Sequence, residues 1–171
     1  GATVEGFDAR GKQTAFGTGN DVIAIKANNV TVQHNRVTGT GPYTTWQDRN
    51  PGAGISAILT DGVVIKGNHI TNTSGAGIWF GSSTNGTIRD NHIGTDICGL
   101  NPLGNLLSGV CIDHGARDNV IGPNNIIAYN NEDGVAILGS DSFGNTITQN
   151  SIHDNGRRGI GLWEGGNTEL R

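Results

Sequence analysis

One six-residue phrase recurs along this chain and limits what it can fold into. It consists of an aliphatic residue, two variable residues, Asn, one variable residue and a second aliphatic. It reads Val32-Gln-His-Asn35-Arg-Val37, Ile65-Lys-Gly-Asn68-His-Ile70, Ile88-Arg-Asp-Asn91-His-Ile93, Ile121-Gly-Pro-Asn124-Asn-Ile126 and Ile147-Thr-Gln-Asn150-Ser-Ile152. The Asn-to-Asn intervals are 33, 23, 33 and 26 residues. A second phrase follows each first one: Gly54-Ile-Ser-Ala57, Gly77-Ile-Trp-Phe80, Gly109-Val-Cys-Ile112, Gly134-Val-Ala-Ile137 and Gly159-Ile-Gly-Leu162. From Asn to Gly the gaps are 19, 9, 18, 10 and 9, so two repeats carry about ten extra residues at one place. These insertions cover about residues 38–53 and 94–108, and without them the period is about 23–26 residues.

That period accommodates three short strands and their turns. Within each phrase apolar and polar residues alternate, which is the period of a strand with one face inward. Gly and Asn break the phrases where tight turns need them. A coil of this kind cannot bury its apolar side alone, but stacked coils share one continuous core. The predicted fold is all-β: a single-stranded right-handed parallel β-helix of about six coils, each strand pairing with its copy in the next coil. Asn35, Asn68, Asn91, Asn124 and Asn150 are then predicted to form one ladder along the axis, each amide reaching its neighbour. Upstream, Asn20–Ile25 and Thr3–Phe7 suggest a further coil or two.

Composition agrees. Gly is 29 of 171 residues, against a usual level of roughly 7%. With only 4 Pro and no triplet period, collagen is excluded. β-Branched residues are plentiful and good helix formers scarce. Residues 1–171 are read as one domain, whole or a segment of a longer protein. No capping-helix pattern is seen at either end, so the expectation includes continuation of the β-helix or self-association there.

The repeats resemble the right-handed parallel β-helix repeats of the pectate-lyase-like superfamily. The stretch from Ile93-Gly-Thr-Asp96-Ile-Cys98-Gly-Leu-Asn-Pro-Leu-Gly-Asn105 to Gly109-Val-Cys111-Ile112 is similar to a unit of large secreted bacterial β-helix proteins. The resemblance covers roughly residues 20–166. It implies the fold. For activity it implies a range, since the superfamily hosts pectate and alginate lyases, glycoside hydrolases, epimerases, tailspikes and structural shafts.

Phosphate loops, nucleophile elbows and paired Cys-x-x-Cys motifs are absent. The insertions leave the helix at one corner of the first and third repeats, so a cleft is predicted over the shorter second repeat. Alternation sends Trp79 outward on its floor, with Ser56 and Cys111 in the same column. On the strand before the insertions the outward column reads Arg36, His69, His92, Asn125 and Ser151. Tyr43, Trp46, Asp48 and Arg49 belong to one wall and Asp96 to the other. Aromatic rings pack against the C–H faces of sugars while polar groups take the hydroxyls, so Trp79, Trp46 and Tyr43 are the predicted platforms. A second outward column, Gln33, Lys66, Arg89, Gly122 and Thr148, is basic at its centre. Arg36, Lys66, Arg89 and Arg49 are candidates to meet a substrate carboxylate, and a histidine, His69 or His92, or else an arginine, to act as base in a lyase. Asp48, Asp96 and Asp113 are the candidate carboxylates for hydrolysis. Cys98 and Cys111 are predicted to form a disulfide clipping the second insertion to its coil.

Eleven basic against fifteen acidic residues give a net charge of −4, which gives no reason to expect a nucleic-acid partner. No apolar run approaches the roughly 18 residues of a membrane span. Scarce Lys with abundant Asn, Gly and Thr fits a secreted or cell-surface protein. No cofactor is expected, with Ca²⁺ on Asp side chains and turn carbonyls as the alternative. The resulting expectation is an extracellular β-helix that binds or cleaves a polysaccharide, as a lyase or glycoside hydrolase if an enzyme. The competing reading is a non-catalytic structural or surface module. An ice-binding face is disfavoured because the Thr pairs are out of register.

Overall fold

A computed structural model of the chain describes residues 1–10, 21–39 and 52–167. It is an all-β right-handed helix with three parallel sheets of six strands each and no α-helix among the described residues. The first sheet contains Thr3–Glu5, Thr31–Gln33, Val64–Lys66, Thr87–Arg89, Val120–Ile121 and Thr146–Ile147. The second contains Asp8–Arg10, Arg36–Thr38, His69–Thr71, His92–Ile93, Ile126–Ala128 and Ser151–His153. The third contains Ile23–Ile25, Ile55–Ile58, Ile78–Gly81, Val110–Asp113, Val135–Leu138 and Ile160–Trp163. Within each sheet a strand pairs with its copies one coil before and one coil after.

The register explains the aliphatic positions. Val32, Ile65, Ile88 and Ile121 pair in sequence on the first sheet, and Val37, Ile70, Ile93, Ile127 and Ile152 on the second. On the third sheet Ile55, Ile78, Val110 and Val135 form one inward column and Ala57, Phe80, Ile112 and Ile137 another. Nearly all of these are fully buried, so the core is a stack of like side chains running along the axis. At Gly54, Gly77, Gly109 and Gly134 the Gly opening the third-sheet phrase has a steric cause. A Cβ on Gly77 would meet Ile93 Cγ2 at 2.6 Å and the Gly109 carbonyl oxygen at 2.7 Å, and Gly109 stands in the same relation to Ile127 and Gly134. At these four positions only glycine leaves room for the next coil.

The asparagines tie the turns together. At the corner between the first and second sheets, the Asn35, Asn68 and Asn91 backbone N–H groups donate to the side-chain oxygens of Asn68, Asn91 and Asn125 respectively. Their Nδ2 groups donate to the same oxygens and to carbonyls of the coil below. Asn125 continues the pattern to Asn150. The ladder thus runs through Asn125, not Asn124. Gly122 and Pro123 make this turn one residue longer, so the inward aliphatic is Ile127 and the outward one Ile126, which pairs with His92 and Ser151. Asn124 turns outward at φ 63 and donates to Asp90 Oδ1. The outward column therefore carries Ile126 where alternation had placed Asn125.

Two further Asn ladders occupy the other corners. Asn105, Asn130 and Asn155 link the second sheet to the third, with Thr73 at the base. Asn119, Asn145 and Asn167 link the third sheet to the next coil's first.

Candidate functional site

The candidate residues fall on three different outer faces. Lys66 and Arg89 lie side by side on the first sheet, where Arg89 pairs with Asp90. Arg36, His69 and His92 are neighbours on the second sheet. Trp79, Cys111 and Asp113 lie on the third. A triangular coil turns its three faces away from one another, so these sets do not share one cleft. Tyr43, Trp46, Asp48 and Arg49 lie outside the described residues.

The second insertion folds over the second sheet. Its closure rests on Asp96, whose carboxylate accepts from the Leu100 and Asn101 N–H groups at 2.8 and 3.2 Å and from Asn101 Nδ2 at 2.6 Å. The Asn101 amide and these N–H groups hold its pKa at about 2. His69 Nε2 lies 2.6 Å from the Thr95 carbonyl oxygen and His92 Nδ1 lies 3.2 Å from that of Asp96. Both histidines thus strut the loop, and Tyr129 braces it by donating to the Leu100 carbonyl. Asp96 is a turn-closing carboxylate over the second sheet and is not among the residues lining the groove beside Trp79, to which this insertion contributes only its end, Leu107 and Ser108. The same geometry separates the cysteines. Cys98 is exposed in the loop over the second sheet, Cys111 faces outward on the third, and both thiols are free. The predicted disulfide is absent because its partners sit on different faces.

The third sheet carries a groove of about 490 Å³ on its outer side, within the usual range of roughly 300–1,000 Å³ for ligand sites. Its floor follows from the register. One outward column reads Ser56, Trp79, Cys111, Ala136 and Gly161, and the next contains Gly81, Asp113, Leu138 and Trp163. Two large indoles bracket small residues, and the trough lies between them. Three coils separate Trp79 from Trp163, about 14 Å at roughly 4.8 Å per coil. Leu107 and Ser108, the end of the second insertion, form part of one rim, and His114 and Arg157 are among the other lining residues.

Each indole is tied down. Trp79 Nε1–H donates to Asp113 Oδ1 at 2.6 Å, and Trp163 Nε1–H to Asp133 Oδ2 at 2.7 Å. Asp113 Oδ1 also meets His114 Nδ1 at 2.8 Å, and this bond raises the pKa of the exposed imidazole. His114 stands edge-on to Trp79 with ring centroids 6.2 Å apart. Asp133 is 2% exposed and its Oδ1 accepts the Arg158 backbone N–H, so both its oxygens are engaged. The Arg158 guanidinium lies 4.4 Å from the Trp163 ring centroid, and Arg157 faces Glu132 at 3.6 Å. Burial, more than the nearby carboxylates of Asp113 and Glu132, pushes the Cys111 thiol far above its ordinary range, so it is no ready nucleophile.

Trp163, Asp133, Glu132 and the two arginines were missed from sequence. The signal for Trp163 was present, since it follows Gly161 at the same parity as Asp113 follows Cys111. Nothing in the sequence indicated that Asp133 would reach an indole one coil away.

Among the described residues no group of three or more His, Cys, Asp or Glu side chains could hold a metal ion. No helix among them is long and apolar enough to cross a membrane. No curated protein and no solved structure matches the chain. The family model described as a right handed beta helix region matches twice, over residues 5–101 and 100–171, and together these matches span most of the coils. The chain belongs to the right-handed β-helix family.

Proposed function

We propose that the outer face of the third sheet binds a glycan, with Trp79 as its sugar platform. The observation that carries this reading is the half-buried Trp79 indole, held against the sheet at the end of a groove by its bond to Asp113. An aromatic face of this kind takes the C–H face of a pyranose. Asp113 Oδ2 has no protein donor among the described residues and is placed to accept a sugar hydroxyl. The composition that suggests a secreted or cell-surface protein suits a glycan outside the cell.

Binding fits the groove better than cleavage. Hydrolysis needs two carboxyl groups on either side of one bond. Asp133 spends both oxygens inside the protein, Glu132 faces Arg157 and Asp113 is bonded to Trp79 and His114, so the lining carboxylates other than the exposed Glu164 are engaged in the protein's own contacts. A uronate lyase needs clustered cations beside a base; Arg36, Lys66 and Arg89 lie on the other two faces, and the groove's own Arg157 and the adjacent Arg158 are turned to Glu132 and the Trp163 ring. Calorimetric titration of the protein and of Trp79→Ala with neutral and acidic oligosaccharides tests the reading. Loss of the platform weakens binding by about 1–3 kcal/mol, the scale of exposing a large apolar side chain. Equal affinity in both proteins, or no binding across the panel by the unsubstituted protein, would overturn it.

A further inference from the structure

We infer that Asp113 and Gly81 are positioning residues that hold Trp79 flat on the third sheet with its N–H already bonded, so that it meets a ligand through its ring face alone. The inference rests on the glycan reading of the groove and specifies how that site recognises its ligand. Trp79 and Gly81 both face outward, two residues apart on one strand. A Cβ on Gly81 would lie 3.3 Å from Trp79 Cζ2, 3.5 Å from Cε2 and 3.6 Å from Asp113 Oδ1. The indole and its hydrogen bond therefore both lie over the empty side of the glycine. A bare Cβ there would press the ring by a few tenths of an ångström, and a branched side chain would lift it from the sheet and away from its acceptor.

The same device recurs at the other end of the groove. Trp163 and Gly161 again face outward two residues apart, and a Cβ on Gly161 would meet Asp133 Oδ2 at 2.3 Å and Trp163 Nε1 at 2.5 Å. Twice on one sheet, then, an indole N–H reaches a carboxylate across a glycine. The two copies differ on their outer faces. Arg158 stacks on Trp163 through its guanidinium, whereas the only ring partner of Trp79 among the described residues is the edge-on His114. Trp163 is a wall and Trp79 a platform.

A consequence for specificity follows. An indole usually offers both an apolar face and a polar donor. Here Asp113 consumes the donor, so Trp79 selects a pyranose that presents a continuous C–H face. Hydroxyl recognition passes to the second oxygen of Asp113.

The experiment compares Gly81→Val, Asp113→Leu and Asp113→Asn with the unsubstituted protein. Three quantities are read: the indole N–H resonance of Trp79, identified by its loss in Trp79→Phe; the melting temperature; and the affinity for three neutral probes, cellohexaose, xylohexaose and mannohexaose. Gly81→Val and Asp113→Leu are expected to shift the resonance upfield and weaken binding about tenfold while the fold persists. Asp113→Asn, which keeps one acceptor oxygen for the indole, is expected to retain most of the shift but to lose part of the affinity, because an NH2 group replaces the oxygen that takes the ligand hydroxyl. A Trp79 resonance unmoved by Gly81→Val and Asp113→Leu overturns the positioning role. So does unchanged affinity with a displaced resonance. If the unsubstituted protein binds no oligosaccharide, the glycan reading fails, and the indole resonance still decides whether Asp113 and Gly81 hold the ring. Should Asp113→Leu fail to fold, Gly81→Val carries the comparison.

Discussion

Replacing Asn125 by Ala and Asn124 by Gly separates two adjacent residues of the same type by their place in the ladder. Asn125 is fully buried. Its Oδ1 accepts the Asn91 backbone N–H at 3.0 Å and Asn91 Nδ2 at 3.0 Å, while its Nδ2 donates to the Ile88 carbonyl at 2.9 Å and Asn150 Oδ1 at 2.8 Å. Truncation to Ala removes all four bonds and leaves the Asn91 backbone N–H buried without an acceptor. An orphaned buried donor costs about 1–3 kcal/mol, and each remaining bond contributes about 0.5–1.5 kcal/mol net. The expected loss is about 2.5–7.5 kcal/mol. For a chain of this size each kcal/mol lowers the melting temperature by roughly 2–4 °C, so the midpoint falls by roughly 5–30 °C. Asn124 makes one exposed side-chain bond, to Asp90, and sits at φ 63. Glycine adopts that backbone without strain, so Asn124→Gly is expected to cost under about 1 kcal/mol. Circular dichroism melts of the two variants beside the unsubstituted protein provide the measurement. A large loss in Asn124→Gly together with a midpoint within a degree or two in Asn125→Ala would place the ladder one residue earlier and refute the register.

Two further outcomes are expected. Under native conditions a thiol reagent labels Cys98 quickly and Cys111 slowly, because the raised pKa of Cys111 starves it of thiolate; two labels appear on denaturation without reductant, and their absence there would restore the disulfide. The His114 imidazole titrates above its ordinary value near 6.5 because of its bond to Asp113, and Asp113→Asn lowers the midpoint. Its raised folded-state pKa means that the bond's contribution is complete below the unfolded value and fades as pH rises through the folded midpoint. An NMR titration in which Asp113→Asn leaves the His114 midpoint unchanged contradicts the assigned partner.

The repeat and its alternation determined the fold, because each coil repeats one local problem. Residues such as Ile65, Ile88, Ile70 and Ile93 show their burial by parity and spacing, and stacking like on like leaves one way to bury them. The five-rung ladder was legible for the same reason, save where Gly122 and Pro123 lengthened one turn by a residue and let Asn125 replace Asn124. The second ladder was also written in the chain, since Asn105, Asn130 and Asn155 each precede a phrase-opening glycine by four residues. Trp79 could be assigned outward because parity is a local property of its strand. Which outward residues meet is not local. Arg36, Lys66, His69, Asp96 and Trp79 look like one cleft when written along the chain, yet the coil sends them to three faces that point apart. The bonds that build the groove, from Trp79 to Asp113 and from Trp163 to Asp133, join residues 34 and 30 positions apart in neighbouring coils. Sequence carries the direction of each side chain from its strand; only the closed coil decides which face that direction belongs to and which neighbour lies within 3 Å.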